Sequence, residues 1–199
     1  MEKFTVHTGT AAVLRASNVD TDQIIPAVYL KRITKTGFAD GLFRSWRDND
    51  PDFVLNDPRT ESASILVAGA EFGTGSSREH AVWALRDWGF KAVVAPSFGD
   101  IFRGNSLKEG LLPIELPSDV VEEMQDALCA NPDATVSIDV NARTIAVGRK
   151  QWPFPLDDFS QTRLLEGLDD IDVTLRAEDQ ISAYEVGRAH FLPSLTHQG

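Results

Sequence analysis

From Ser64 onward, short apolar runs alternate with stretches of helical period. Ile65-Leu66-Val67-Ala68 and Ala92-Val93-Val94-Ala95 are continuous apolar runs bounded by polar residues, the pattern of strands buried on both faces. Between them Ala81, Ala84, Leu85 and Trp88 recur at i, i+3, i+4 and i+7, which predicts a helix over Arg78–Trp88 with Gly89 as its stop. A second helix is expected over Gly99–Lys108, ending at Gly110, and a third strand over Leu111–Leu116. The middle of the chain therefore reads βαβαβ, whose crossovers are right-handed and pair strands in parallel.

The flanks read less regularly. Phe4–His7 and Ala11–Leu14 suggest two short strands with a turn at Gly9-Thr10. Asn18–Pro26 reads as a polar loop, and Val28–Ile33 alternates poorly. Leu42, Phe43 and Trp46 suggest a short helix packed through aromatics, and the charged, proline-bearing Asp48–Thr60 a surface loop or insertion. After Leu116, Ser118 caps a helix running to Asn131-Pro132. Thr135–Val140 and Thr144–Val147 alternate with period two around Asn141-Ala142, a hairpin. Trp152–Pro155 reads as a rigid connector. Two helices follow, about Asp158–Gly167 and Ala177–Arg188, joined by acidic Asp169–Asp172. The expected organisation is one domain over 1–155, with an insertion at about 35–62, and a C-terminal helical extension over 156–199 that is not an independent domain.

The loop between the first parallel strand and its helix carries the densest chemistry. It reads Gly69-Ala-Glu-Phe-Gly-Thr-Gly-Ser-Ser-Arg-Glu-His-Ala81. Gly73 and Gly75 permit positive φ and close approach of a ligand. Ser76 fits as an N-cap with Glu79 three residues on, a capping box. Two serines and Arg78 at a helix start also make an anion site, since unpaired N–H groups, the dipole and a guanidinium converge there. No Lys follows the glycines as in a P-loop, and the third glycine of a dinucleotide fingerprint is missing, so a compact carboxylate fits better than a pyrophosphate. In an open parallel sheet such a loop lies beyond the carboxyl ends of the strands, beside Ser97–Asp100.

Charge narrows the partners. The net charge is −11 and no basic cluster is longer than Lys31-Arg32, which argues against nucleic acid and anionic membrane surfaces. The global field repels an anionic substrate, so a carboxylate site needs local cations. No apolar run is long enough for a membrane span, and a soluble, cytoplasmic protein is expected. The 199 residues are 42% hydrophobic, enough for a substantial core, and the single Cys129 allows no disulfide within the chain.

Three stretches together resemble the signatures of the swivelling domain of the aconitase superfamily, in the family's order. They are Asp20-Thr-Asp-Gln-Ile-Ile-Pro26, Gly73–Ala81, and Phe98-Gly-Asp-Ile-Phe-Arg-Gly-Asn105 followed by Gly110-Leu-Leu-Pro-Ile114. With Leu164-Leu-Glu-Gly-Leu-Asp-Asp170 the resemblance covers nearly the whole chain. It implies an α/β swivelling β/β/α domain, with a central, mostly parallel sheet flanked by helices. It implies a hydro-lyase that isomerises 2-isopropylmalate and 3-isopropylmalate through 2-isopropylmaleate in leucine biosynthesis. Neighbouring possibilities are homoaconitate or a methylated malate as substrate, and, from a different class, a non-catalytic anion-binding module.

Residue roles follow from the same resemblance. Ser76 would be the base, as an alkoxide. Arg78 would hold a substrate carboxylate or stabilise the alkoxide, and Ser77 would bond that carboxylate or finish the cap. Asp22 aligns with an active-site aspartate, though an Asx turn would also use it; Asp20 reads as structural. Tyr29-Leu30-Lys31-Arg32 falls where the family carries its substrate-specificity loop, with Val28, Tyr29 and Leu30 as an apolar wall and Lys31 or Arg32 as a cation. His80 reads as structural. The family's reaction uses an iron–sulfur cluster, normally held by several thiolates. One cysteine cannot hold it, so no cofactor is expected on this chain and the cluster is expected on a larger partner subunit.

Overall fold

A computed structural model describes residues 1–76 and 78–188. In chain order the strands and helices are β1 (Val6–Leu14), α1 (Thr21–Ile24), α2 (Arg44–Asn49), β2 (Ile65–Ala68), α3 (Glu79–Trp88), β3 (Ala92–Ala95), α4 (Asp100–Glu109), β4 (Leu112–Glu115) and α5 (Ser118–Ala130). After these come β5 (Thr135–Asp139), β6 (Thr144–Val147), β7 (Lys150–Pro153), α6 (Asp158–Glu166), α7 (Asp170–Leu175) and α8 (Glu178–Val186). The seven strands form a mixed sheet in the order β4-β3-β2-β1-β5-β6-β7. Strands β1 to β4 pair in parallel and carry the βαβαβ unit, while β5, β6 and β7 continue the sheet antiparallel.

Strand β1 corrects the expectation of two strands and a turn. It runs unbroken through Gly9 and Thr10 and changes partner midway. Val6 to Thr10 pair antiparallel with β5, and Ala11 to Leu14 pair parallel with β2. Gly9 is there for space: an added Cβ would lie 2.0 Å from Ser64 Oγ. A glycine kept for close approach within a strand leaves the same sequence trace as one kept for a turn.

Period two divides the core. Leu66, Ala68, Val93 and Ala95 face one apolar layer, filled by Phe38, Leu42, Phe43, Phe53, Phe72 and residues of α3. Ile65, Val67, Ala92 and Val94 face the other, filled by α5 and the hairpin β5–β6. The continuous apolar runs of β2 and β3 exist because both faces are covered. The segment between α1 and β2 contributes fully buried Phe38, Leu42 and Phe43, with Phe53 and Leu55 nearly so.

Two further local readings change. Trp152-Pro153 belongs to β7, paired among the described residues only with β6; a proline, which has no N–H to donate, is tolerated on such an edge. The acidic joint at Asp169–Asp172 is itself a helix start. Asp169 accepts from the Asp172 N–H at 2.8 Å and Asp172 accepts from the Asp169 N–H at 3.0 Å, a reciprocal cap for α7. Helix α6 is tied to the body through buried Leu164, whose carbonyl accepts the Phe4 N–H at 2.8 Å. Residues 189–199 of the expected extension lie outside the described residues.

Candidate functional site

The loop after β2 is clamped on both sides by neighbouring loops at the carboxyl rim of the parallel strands. On one side the Gly73 N–H donates to Val19 O at 2.7 Å, the Thr21 N–H to Thr74 O at 2.9 Å, and Thr21 Oγ1 to the Ser76 carbonyl at 3.1 Å. On the other the Phe72 N–H donates to Ser97 O at 3.1 Å and the Gly99 N–H to Phe72 O at 2.9 Å. Asp20 and Thr74, and Phe72 and Phe98, form isolated parallel bridges, so the sheet's pairing extends past β2 into the loop. The three motif stretches thus meet at one rim through backbone bonds.

The glycines make the clamp possible. Gly73 has φ +76°, and an added Cβ would sit 2.2 Å from Phe102 Cγ. Gly99 lies against it: a Cβ there would meet the Gly73 carbonyl oxygen at 2.5 Å. Gly75 turns the chain toward Ser76 with φ +96°.

Ser76 is exposed in this turn, and it is not the helix cap that the spacing predicts. Helix α3 begins at Glu79 with Arg78 at the N-cap position and no side-chain capping bond, so Glu79 closes no capping box. The bond from the Thr21 hydroxyl to its carbonyl holds Ser76 in the loop, two residues before the cap. Ser77 lies outside the described residues.

Arg78 forms an ion pair with Asp22. The guanidinium side chain is 18% exposed and the carboxylate 57%, so a mostly covered cation presents its partner to solvent. The neighbouring acid has a different job. Asp20 accepts from the Gln23 N–H at 2.8 Å, and Gln23 Oε1 accepts from the Asp20 N–H at 2.8 Å, a capping box for α1. Asp20 is thereby structural, as its loop position suggests, and Asp22 is left facing Arg78. The Asp20-x-x-Gln23 spacing is a capping pattern visible in the sequence. Thr21, buried and bonded to Ser76, carries no such signal.

His80 packs against two aromatic rings. Its ring lies edge-on to Phe38 at 5.2 Å and 4.7 Å from Trp83. Burial, and secondarily the Arg78 charge, hold its pKa below the usual imidazole value, against the opposing pull of Glu79. The Phe38 contact fastens the segment after Tyr29–Arg32 to the first turn of α3.

In the Tyr29–Arg32 segment the two cations differ. Arg32 is committed: it makes paired bonds to Asp40 at 2.8 and 2.7 Å and stacks 4.5 Å over the Tyr29 ring. Asp40, holding it, has its pKa lowered first by that bond. Lys31 is exposed and has no ion pair among the described residues. Tyr29 and Leu30 are half-buried, while Val28 is 65% exposed. Among the described residues no hydrogen bond or ion pair joins this segment to Ser76, Arg78 or Asp22.

Among the described residues no group of three His, Cys, Asp or Glu side chains is placed to hold a metal ion. The exposed Cys129 alone does not fit an iron–sulfur cluster. No helix among the described residues is long and apolar enough to cross a membrane.

A mixed sheet with loops 18–22, 72–78 and 97–99 gathered at its parallel rim defines an aconitase-type domain, and the aconitase C-terminal domain model matches residues 1–119. The small subunit of 3-isopropylmalate dehydratase from Salinispora arenicola is 65% identical over 196 residues, covering 98% of this chain and 100% of that one. That from Thermobifida fusca is 59% identical over 193 residues, covering 97% and 98%. A crystal structure of 3-isopropylmalate dehydratase (leuD) from Methanocaldococcus jannaschii superposes with a TM-score of 0.65 at 29% identity, covering 90% of this chain and 99% of that one. The chain belongs to the family of 3-isopropylmalate dehydratase small subunits.

Proposed function

We propose that this chain is the proton-handling half of a cytoplasmic hydro-lyase that isomerises 2-isopropylmalate and 3-isopropylmalate through 2-isopropylmaleate in leucine biosynthesis. It works only with a large subunit. The observation that carries the reading is the rim itself: the Thr21 hydroxyl, donating to the Ser76 carbonyl, holds exposed Ser76 two residues from the Arg78 of the Arg78–Asp22 pair, at the carboxyl rim of the parallel strands.

Within the reading, Ser76 Oγ takes the proton from the carbon next to a substrate carboxylate. The pair of electrons left on that carbon forms the double bond as hydroxide leaves the neighbouring carbon. Water then adds back with the opposite regiochemistry, and Ser76 returns the proton. The iron–sulfur cluster implied by the family resemblance belongs to the large subunit and supplies the Lewis acid for the departing hydroxide.

Ser76 needs help to act as a base. A helix N-terminus provides at most ~2 kcal/mol, and one pKa unit corresponds to ~1.4 kcal/mol. Ser76 stands two residues before the cap of α3, so the dipole contributes less than that limit. Arg78 must therefore act, either on the alkoxide or on the substrate carboxylate. Its bond to Asp22 uses Nη1, and the fork has further N–H donors for a carboxylate. Ser77 adds a hydroxyl to the same carboxylate. Gly73 and Gly75 shape the loop, Tyr29 and Leu30 form the wall for the isopropyl group, and Lys31 reaches the far carboxylate. Arg32 holds the segment through Asp40.

Reconstitution with the large subunit tests the function. Isopropylmalate should produce the ultraviolet absorbance of the unsaturated intermediate in the mixture, and neither subunit should do so alone. Turnover of a different hydroxy-diacid, with none of isopropylmalate, would overturn the substrate.

A further inference from the structure

A cavity of about 230 Å³ lies at the opposite end of α3 from Ser76, lined in part by Lys35 and Thr36 and by residues of the N-terminal segment. Phe4, Trp83 and Phe90, all more than nine-tenths buried, contribute the aromatic part of its wall. Four cations line it, Lys3, Lys35, Arg86 and Lys91, in a chain whose net charge is −11.

The acids present neutralise only part of that charge. Arg86 bonds Glu109 at 3.1 Å and Lys91 bonds Glu2 at 2.6 Å. Asp87 accepts the Phe38 N–H at 2.8 Å. Lys3 and Lys35 have no ion pair among the described residues, and Lys35 Nζ stands 6.0 Å from the Trp83 ring centroid. His7, also on the wall, bonds Ser64 Oγ at 2.7 Å. Burial first, and then the Lys91 charge, keep its pKa below the usual imidazole value, with Glu2 opposing, so it adds no cation near neutrality. Trp83 Nε1–H is buried with no partner among the described residues.

We propose that this cavity is a second binding site, for a small carboxylate with a short aliphatic body. Lys3 and Lys35 meet the carboxylate, and the Phe4, Trp83 and Phe90 faces take the aliphatic part. A bare oxoanion satisfies only the first requirement, and an apolar molecule only the second. The pairing of a few convergent polar groups with an apolar wall is what small-molecule sites present. The site is separate from the Ser76 rim and does not rest on the function proposed for it.

The Trp83 indole N–H signal in a ¹H–¹⁵N spectrum of the full chain, assigned by its loss in Trp83→Phe, gives a direct readout. It is titrated with 3-methylbutanoate, inorganic phosphate and chloride at matched ionic strength. The proposal predicts a saturable shift with 3-methylbutanoate, at least tenfold weaker binding of phosphate, and no saturable response to chloride. Lys35→Gln or Lys3→Gln should weaken 3-methylbutanoate binding at least tenfold, while Arg78→Ala leaves it unchanged. No saturable shift, or affinity within twofold of the parent chain in both lysine variants, would overturn the site. Phosphate binding as tightly as 3-methylbutanoate would overturn the aliphatic part, and loss of the response in Arg78→Ala would assign it to the Ser76 rim instead.

Discussion

Gly73→Ala tests whether the rim is held together as described. The residue has φ +76°, and the new methyl would lie 2.2 Å from Phe102 Cγ and 2.6 Å from Cδ1. Left-handed backbone costs an L-residue about 1–2 kcal/mol. Displacing a packed ring costs about 1–3 kcal/mol more, since Phe102 is itself wedged 5.4 Å from Phe72 and 6.2 Å from Phe98. The sum, about 2–5 kcal/mol, is a large part of the ~5–15 kcal/mol that holds a domain folded. With a urea slope of about 2 kcal/mol/M, the midpoint should fall by roughly 1–2.5 M. Gly104→Ala is the control: it lies in α4 with nothing within 4 Å of an added Cβ. There alanine should raise stability by about 0.5–1 kcal/mol. Phe102→Ala removes the two nearest atoms, Cγ and Cδ1, and leaves only Cβ at 2.7 Å, so in that background the cost of Gly73→Ala should fall toward the backbone part, about 1–2 kcal/mol. Equal midpoint shifts of the same sign in Gly73→Ala and Gly104→Ala would refute the packing argument.

Asp157 caps α6 by accepting the Ser160 N–H at 2.8 Å, so Asp157→Ala should cost about 0.5–2 kcal/mol in urea unfolding at pH 7. That backbone bond is the largest cause of the carboxyl's lowered pKa. A depressed folded pKa gives stability that is complete above the unfolded value and lost as pH falls through the folded one. The gap between parent and Asp157→Ala should therefore narrow below about pH 4. Asp22→Asn removes the charge facing Arg78 while leaving its shape; because the acid is exposed, stability should change by less than ~1 kcal/mol. Turnover of the reconstituted enzyme should nevertheless fall by about tenfold or more, the factor that each ~1.4 kcal/mol of lost transition-state stabilisation carries. Lys31→Ala should raise KM with little change in kcat, as expected when binding alone is lost. Arg32→Ala, which frees Asp40 and Tyr29, should lower kcat and raise KM together.

Much of this molecule is written in its period. The βαβαβ unit was legible because β2 and β3 are covered on both faces and α3 on one, and those burials dictate which side chains can stand there. The errors fall where two physical causes leave one sequence trace. Gly9 reads as a turn but serves as clearance for Ser64. Ser76 and Glu79 carry capping-box spacing, yet tertiary bonds from Thr21 hold Ser76 outside the helix. Pro153 looks like a connector because edge pairing is invisible without the neighbouring strand. At the rim, the glycines and the Ser-Ser-Arg order were readable, since each has a local mechanism. The Arg78–Asp22 pair, 56 positions apart, and the Asp40 clamp on Arg32 belong to tertiary geometry. Only the family resemblance pointed toward the first, and nothing toward the second.

Under the proposed function, an exposed serine on a clamped loop does proton chemistry for a metal held elsewhere. The most direct measurement is turnover of isopropylmalate by the reconstituted enzyme carrying Ser76→Ala, with subunit association followed in the same samples. Loss of a general base predicts a fall of about 10²–10⁴-fold in kcat with the complex still forming. Turnover within a few-fold of the parent enzyme, in an intact complex, would contradict the account.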